Sequence, residues 1–128
     1  MKIHQKELTV VASDLDDLHH VNNVRYLDWV QEISKEHWLL LTKKVWEQQY
    51  FWVVKRHQIT YHQPSLLGET LRLSTYVPEA SGATSRRKVE IRKQKDVLVA
   101  ECQTDWVLLD RRTGKPVRIP KEMQEVFQ

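Results

Sequence analysis

The densest cluster of reactive side chains in the sequence is Asp14, Asp16, Asp17, His19, His20, Asn22 and Asn23. It separates a run that alternates polar and apolar residues from a run with helical periodicity, so it occupies the link between a strand and the start of a helix. The first backbone amides of a helix lack intrahelical partners and carry partial positive charge. A carboxylate beside them gives one short segment a nucleophile or general base and, next to it, a donor for a developing oxyanion. That combination suits attack on an acyl carbonyl. The same residue types also cap helices and close turns through bonds to nearby amides, and the spacing leaves both roles open.

Other chemistries find less support. Asp16, His19 and His20 are too close in sequence to converge on one ion, and no second cluster supplies the missing ligands, so no metal and no cofactor are expected. The single cysteine, Cys102, lies in an apolar-alternating run; it cannot form an intramolecular disulfide and reads as a small buried residue. Basic residues gather in Arg86, Arg87, Lys88, Arg92, Lys93 and Lys95, and again in Arg111, Arg112, Lys115, Arg118 and Lys121. Such groups suit an anionic partner, a phosphorylated cofactor tail or an acidic carrier protein, or else a solvated sheet face. No helix-turn-helix, zinc or RNA-binding strand motif accompanies them, so no nucleic-acid partner is expected.

The elements that must position the cluster follow from periodicity. Ile3 to Ala12 reads as a strand and Ser13 to His19 as a loop. From Asn23 to about Leu41, Tyr26, Leu27, Val30, Ile33, Leu40 and Leu41 recur at helical spacing, with Asn22 or Asn23 as the N-cap. Asp28 and Glu32 come early in this helix and Lys35, Lys43 and Lys44 late, the order its dipole favours. A short helical segment near Lys43 to Gln49 follows. The pattern then turns to period two through Phe51–Tyr61, Thr70–Val77, Ser85–Gln94 and Leu98–Leu108, with a Thr-Gly turn before Pro116. Consecutive strands on short links pair antiparallel, and one early amphipathic helix packs on their apolar face. The expectation is an α+β fold, a curved antiparallel sheet wrapped around a long helix.

The 128 residues suit a single domain spanning 1–128, with 41% hydrophobic and 29% charged residues and a formal charge of +3. Apolar runs such as Trp38 to Leu41 are far below the roughly 18 residues of a membrane span, so no membrane partner is expected. No apolar signal core follows the N-terminal Met-Lys-Ile-His-Gln-Lys-Glu, which points to the cytoplasm.

The stretch DLDDLHHVNNVRYLDWVQE at 14–32 closely resembles the signature of hotdog-fold thioesterases of the 4-hydroxybenzoyl-CoA thioesterase and acyl-ACP thioesterase type. ITYHQPSLLGETLRL at 59–73 and TDWVLLDRRTGKPVRIPKEM at 104–123 resemble two further blocks of that family, in the same order. The resemblance implies hydrolysis of an acyl-CoA or acyl-ACP thioester. The family's catalytic carboxylate maps onto Asp16, four residues before the His of His-Val-Asn-Asn, and its carbonyl-polarising amide onto the backbone N–H of Asn23. It further implies that His20, Asn22 and Tyr26 shape the substrate pocket and that Glu32 occupies a carboxylate position on the same helix. Arg86, Arg87 and Lys88 would meet the phosphates of CoA or of the carrier. A homodimer or homotetramer is implied as well.

The sequence departs from the family at His19, where many relatives have glycine or a neutral polar residue. Two rival readings stay within the fold. A hydratase would pair Asp14 with His19, five residues later; a non-catalytic domain would bind the acyl thioester without releasing thiol.

Overall fold

The computed structural model describes residues 1–128. The chain runs β1 (His4–Thr9), α1 (Asn23–Leu41), α2 (Lys44–Gln49), β2 (Tyr50–Tyr61), β3 (Thr70–Ser81), β4 (Thr84–Lys93), β5 (Val97–Asp110) and α3 (Lys121–Val126). All five strands form one antiparallel sheet in the order β1-β3-β4-β5-β2. Because β2 follows the helices in sequence yet pairs with β5, it lies at one edge with its outer side unpaired.

Helix α1 buries Tyr26, Trp29, Val30, Ile33, Ser34 and His37, spaced at three and four residues along one face. That face packs on Leu71 and Leu73 of β3, Val89 and Ile91 of β4, and Ala100 and Cys102 of β5, the inward residues of each alternating strand. The expected α+β architecture, a sheet wrapped around one helix, is therefore the observed one. Cys102 is buried and free, and burial pushes its thiol pKa up.

Two expectations need revision. β3 and β4 extend to Ser81 and Thr84 and join in a tight hairpin through Gly82, whose φ of 60° suits a residue without Cβ. The alternation that stops at Val77 is broken by an irregularity between Tyr76 and Glu79, not by the end of the strand. The C-terminal segment also forms helix α3, which seals a second cluster of Trp46, Leu108, Ile119 and Met123, flanked by Trp38 and Trp52.

Candidate active site

The loop between β1 and α1 begins with a one-turn 3-10 segment, Ala12–Asp14, which turns the chain back toward the helix start. Asp14 closes this turn: its carboxylate accepts from the Val11 amide at 2.9 Å and from Arg25 Nε at 2.8 Å, and its carbonyl accepts from the Asn22 amide at 2.9 Å. Only 5% exposed, it is a structural anchor. Arg25 also lies 5.3 Å over the Trp29 ring, so Asp14 fixes the first turn of α1 against the core.

Asp16 sits differently. Its Oδ1 accepts from the Leu18 amide at 2.9 Å and the His20 amide at 3.2 Å, and its own amide donates to the His20 carbonyl at 2.7 Å. A bridge between Leu15 and Val21 closes the loop behind it. Oδ2 makes no hydrogen bond and the residue is half-buried, so a held carboxylate presents one free oxygen. His19 adopts φ 63°, the left-handed region that glycine enters at no steric cost. A glycine would fit that backbone without strain, and the His19 side chain is exposed. Asp14, taken up by Val11 and Arg25, makes no bond to the exposed His19, the pair that the hydratase reading would use.

At the helix start, Asn22 is the N-cap: its side-chain oxygen accepts from the Val24 amide at 3.0 Å. The Arg25 amide donates to the Asn22 carbonyl, while the Asn23 amide has no partner. Asn23 therefore offers a free N–H at the positive end of a 19-residue helix, with no competing bond. The Tyr61 hydroxyl donates to the Asn23 carbonyl at 3.3 Å, tying β2 to this point.

The remaining expected residues separate. Tyr26 is a core residue rather than a pocket wall: it is buried, and its hydroxyl donates to Ser65 Oγ at 3.0 Å. Burial pushes its pKa up. Ser65 also accepts the Val21 amide through its carbonyl, so Tyr26 and Ser65 together pin the loop. His20 joins the Asp16 turn through its backbone, and its side chain is half-buried. Glu32, 51% exposed and 3.8 Å from Arg25, lies nine residues beyond Asn23, roughly 13 Å along the helix, and so is not joined to Asp16 within one chain.

Arg86, Arg87 and Lys88 do not form one phosphate cradle, because a strand sends successive side chains to opposite faces. Arg86 is on the outer face, bonded to Asp105 at 3.1 Å and 3.8 Å from Glu79. Lys88 is exposed beyond it. Arg87 points inward and is only 4% exposed. Its Nη1 donates to His37 Nδ1 at 2.8 Å and to Thr75 Oγ1 at 3.0 Å. Burial, and next the Arg87 charge, hold His37 down at about 4, so it is neutral at physiological pH. Arg87 lies at a cavity of about 480 Å³ that Ser34, Trp38, Trp52, Ser85 and Trp106 also line.

Residues 1–127 match the model of the acyl-ACP thioesterase N-terminal domain family. The chain belongs to this family. It is accordingly a hotdog-fold thioester hydrolase. It is similar to the long-chain acyl-CoA thioesterase FadM of Escherichia coli, with 24% identity over 97% of this chain and 96% of that protein. Among solved structures it resembles a 1,4-dihydroxy-2-naphthoyl-CoA thioesterase from Synechocystis, with TM-score 0.84, 18% identity, and coverage of 98% of this chain and 96% of that one. It also resembles a thioesterase from Thermus thermophilus complexed with coenzyme A and Zn, with TM-score 0.84, 22% identity, and coverage of 96% and 90%. These likenesses establish the hotdog fold over nearly the whole chain.

Proposed function

We propose that this family member hydrolyses acyl thioesters of coenzyme A or of an acyl carrier protein, with Asp16 as the reacting carboxylate and the Asn23 amide as the oxyanion donor. The observation that carries the reading is the pair of unfilled valences at the start of α1: the free Oδ2 of Asp16 and the unpaired N–H of Asn23. Asp16 attacks the thioester carbonyl to give a mixed anhydride and a thiolate, which water then resolves, or it takes a proton from the attacking water. Either route places negative charge on the carbonyl oxygen, which the Asn23 amide and the helix dipole stabilise. Asn22 holds that amide in place by capping. His20 and Glu32 line the approach, one beside Asp16 and the other at the mouth of the cavity.

For the thiol carrier, the name of the curated relative supports coenzyme A and the family description supports an acyl carrier protein. Lys88, exposed and free of an ion pair, is the phosphate contact left on the outer face, with Arg86 beside it. The reading treats residues 1–128 as one cytoplasmic domain that works as a homodimer or homotetramer. Two features support assembly: the unpaired edge of the 12-residue β2, and exposed apolar side chains at Val24, Leu39, Leu40 and Tyr61.

The test is thiol release from short, medium, long-chain and aromatic acyl-CoAs and from acyl carrier thioesters. Release by the wild type supports the reading. Tight binding of every thioester without release would replace it with the non-catalytic acyl-binding domain.

A further inference from the structure

The base of the 480 Å³ cavity has an excess of hydrogen-bond donors. Arg87 makes no ion pair, although its neighbours on β4 do: Arg86 with Asp105 and Arg92 with Glu90. The indole Nε1 atoms of Trp52 and Trp106 are buried without an acceptor, and both residues line the same cavity. The one acceptor nitrogen nearby, His37 Nδ1, is already taken by Arg87. The other charged residues of the lining, Glu32, Lys35, Glu47 and Arg111, are exposed to solvent, unlike Arg87. A buried cation with no counter-charge, beside two unpaired N–H groups, is costly unless a ligand completes it.

We propose that this cavity receives the far end of the acyl group and that this end carries a carboxylate, so that the preferred substrate is the monothioester of a dicarboxylic acid. The proposal rests on the thioesterase reading above. A carboxylate matches the planar guanidinium fork and offers further lone pairs to indole N–H groups, whereas a plain alkyl end would leave the guanidinium without a counter-charge and both indoles without an acceptor. In the protein alone His37 is held neutral, so Arg87 is the charge already in place at the cavity. Asn23, Leu27, Gln31, Ser34 and Trp38 follow one another on α1 at spacings of four, four, three and four, so one helix row leads from the Asn23 amide to the cavity, whose lining on that row begins at Gln31. Ser34 lies roughly 16 Å along the helix from Asn23, a span for a medium-length chain with its thioester at the Asn23 amide.

The experiment compares kcat/KM for dodecanedioyl-CoA and dodecanoyl-CoA, equal in chain length and long enough to span that distance, in the wild type and in Arg87→Met. Tryptophan fluorescence is titrated in parallel with free dodecanedioate and free dodecanoate, a readout that needs no turnover. The expected result is a preference of about tenfold or more for dodecanedioyl-CoA, the range of a charge-assisted hydrogen bond, with a fluorescence response to dodecanedioate alone. Arg87→Met reverses the preference and removes the response; should that variant not fold, the wild-type comparison decides. Dodecanoyl-CoA hydrolysed as well as or better than dodecanedioyl-CoA, with no response to dodecanedioate, overturns the inference and leaves the thioesterase reading standing. Dodecanedioate binding without thiol release from any thioester keeps the carboxylate site and overturns the hydrolysis.

Discussion

The two stretches of α1 that matter are built in opposite ways. At its N-terminus, residues 11–25 satisfy one another: Asp14 holds Val11 and Arg25, Asp16 holds Leu18 and His20, and Asn22 holds Val24. Against the middle of the helix, the cavity is assembled from α1, α2, β2, β4, β5 and the C-terminus, and its base keeps donors without acceptors. The first region is held by its own short-range bonds and, at the start of the helix, leaves the Asp16 Oδ2 and the Asn23 amide without a partner. The second leaves two buried indole N–H groups without acceptors and one buried guanidinium without a counter-charge. A reaction centre needs a few fixed groups at one point, while recognition of a long substrate needs a lined volume, and the proposed reading separates the two along one helix.

The sharpest way to break this comparison is at Asp16. Asp16→Asn keeps an acceptor oxygen for the Leu18 and His20 amides but removes the carboxylate proposed to react. Turnover should fall by about a thousandfold, or roughly 4 kcal/mol, in steady-state thiol release. The melting temperature should not move.

Next in size is the pH dependence of the cavity side. His37 is held down at about 4 in the folded protein against about 6.5 when unfolded, so between those values the unfolded chain binds more protons. The stability contributed by neutral His37 is complete above pH 6.5 and is lost as pH falls toward 4, by roughly 3 kcal/mol. Urea midpoints across that window should show this slope in the wild type and lose it in His37→Gln.

Asp14 should behave as the opposite of its neighbour. Asp14→Asn disturbs a buried carboxylate bonded to Arg25, and urea unfolding should report a loss of about 2–3 kcal/mol. The folded fraction should retain its turnover. The smallest effect is expected at Asn22→Ala, about 1 kcal/mol of stability from the lost cap, with a few-fold loss of kcat as the Asn23 amide loses its fixed direction.

The region at the start of the helix is readable from sequence because its partners lie within about a dozen residues and obey local rules of capping and turn formation. Asp, His and Asn before a helical period mark it, and the structure decides only that Asn22 rather than Asn23 is the cap. The cavity is not readable in the same way. Arg86, Arg87 and Lys88 look alike in sequence, and strand alternation says only that neighbours among them face opposite ways. Whether the inward side meets packed core or an open volume depends on how α1 and β5 cross it. Tyr26 misleads for a related reason: its place in the helix suits a pocket wall, but Ser65, 39 residues away, supplies the partner that makes it core. Helix α3 is hidden because Met123 and Phe127 sit among charged and polar residues and find their apolar neighbours only at long range.

The most direct test of the account is to measure thiol release and thermal melting side by side for wild type, Asp14→Asn and Asp16→Asn on one hydrolysed acyl thioester. The account predicts that Asp16→Asn melts like the wild type and is inactive, while Asp14→Asn melts lower and, where folded, still turns over. Near wild-type turnover by Asp16→Asn, or inactivity of a fully folded Asp14→Asn, would contradict it.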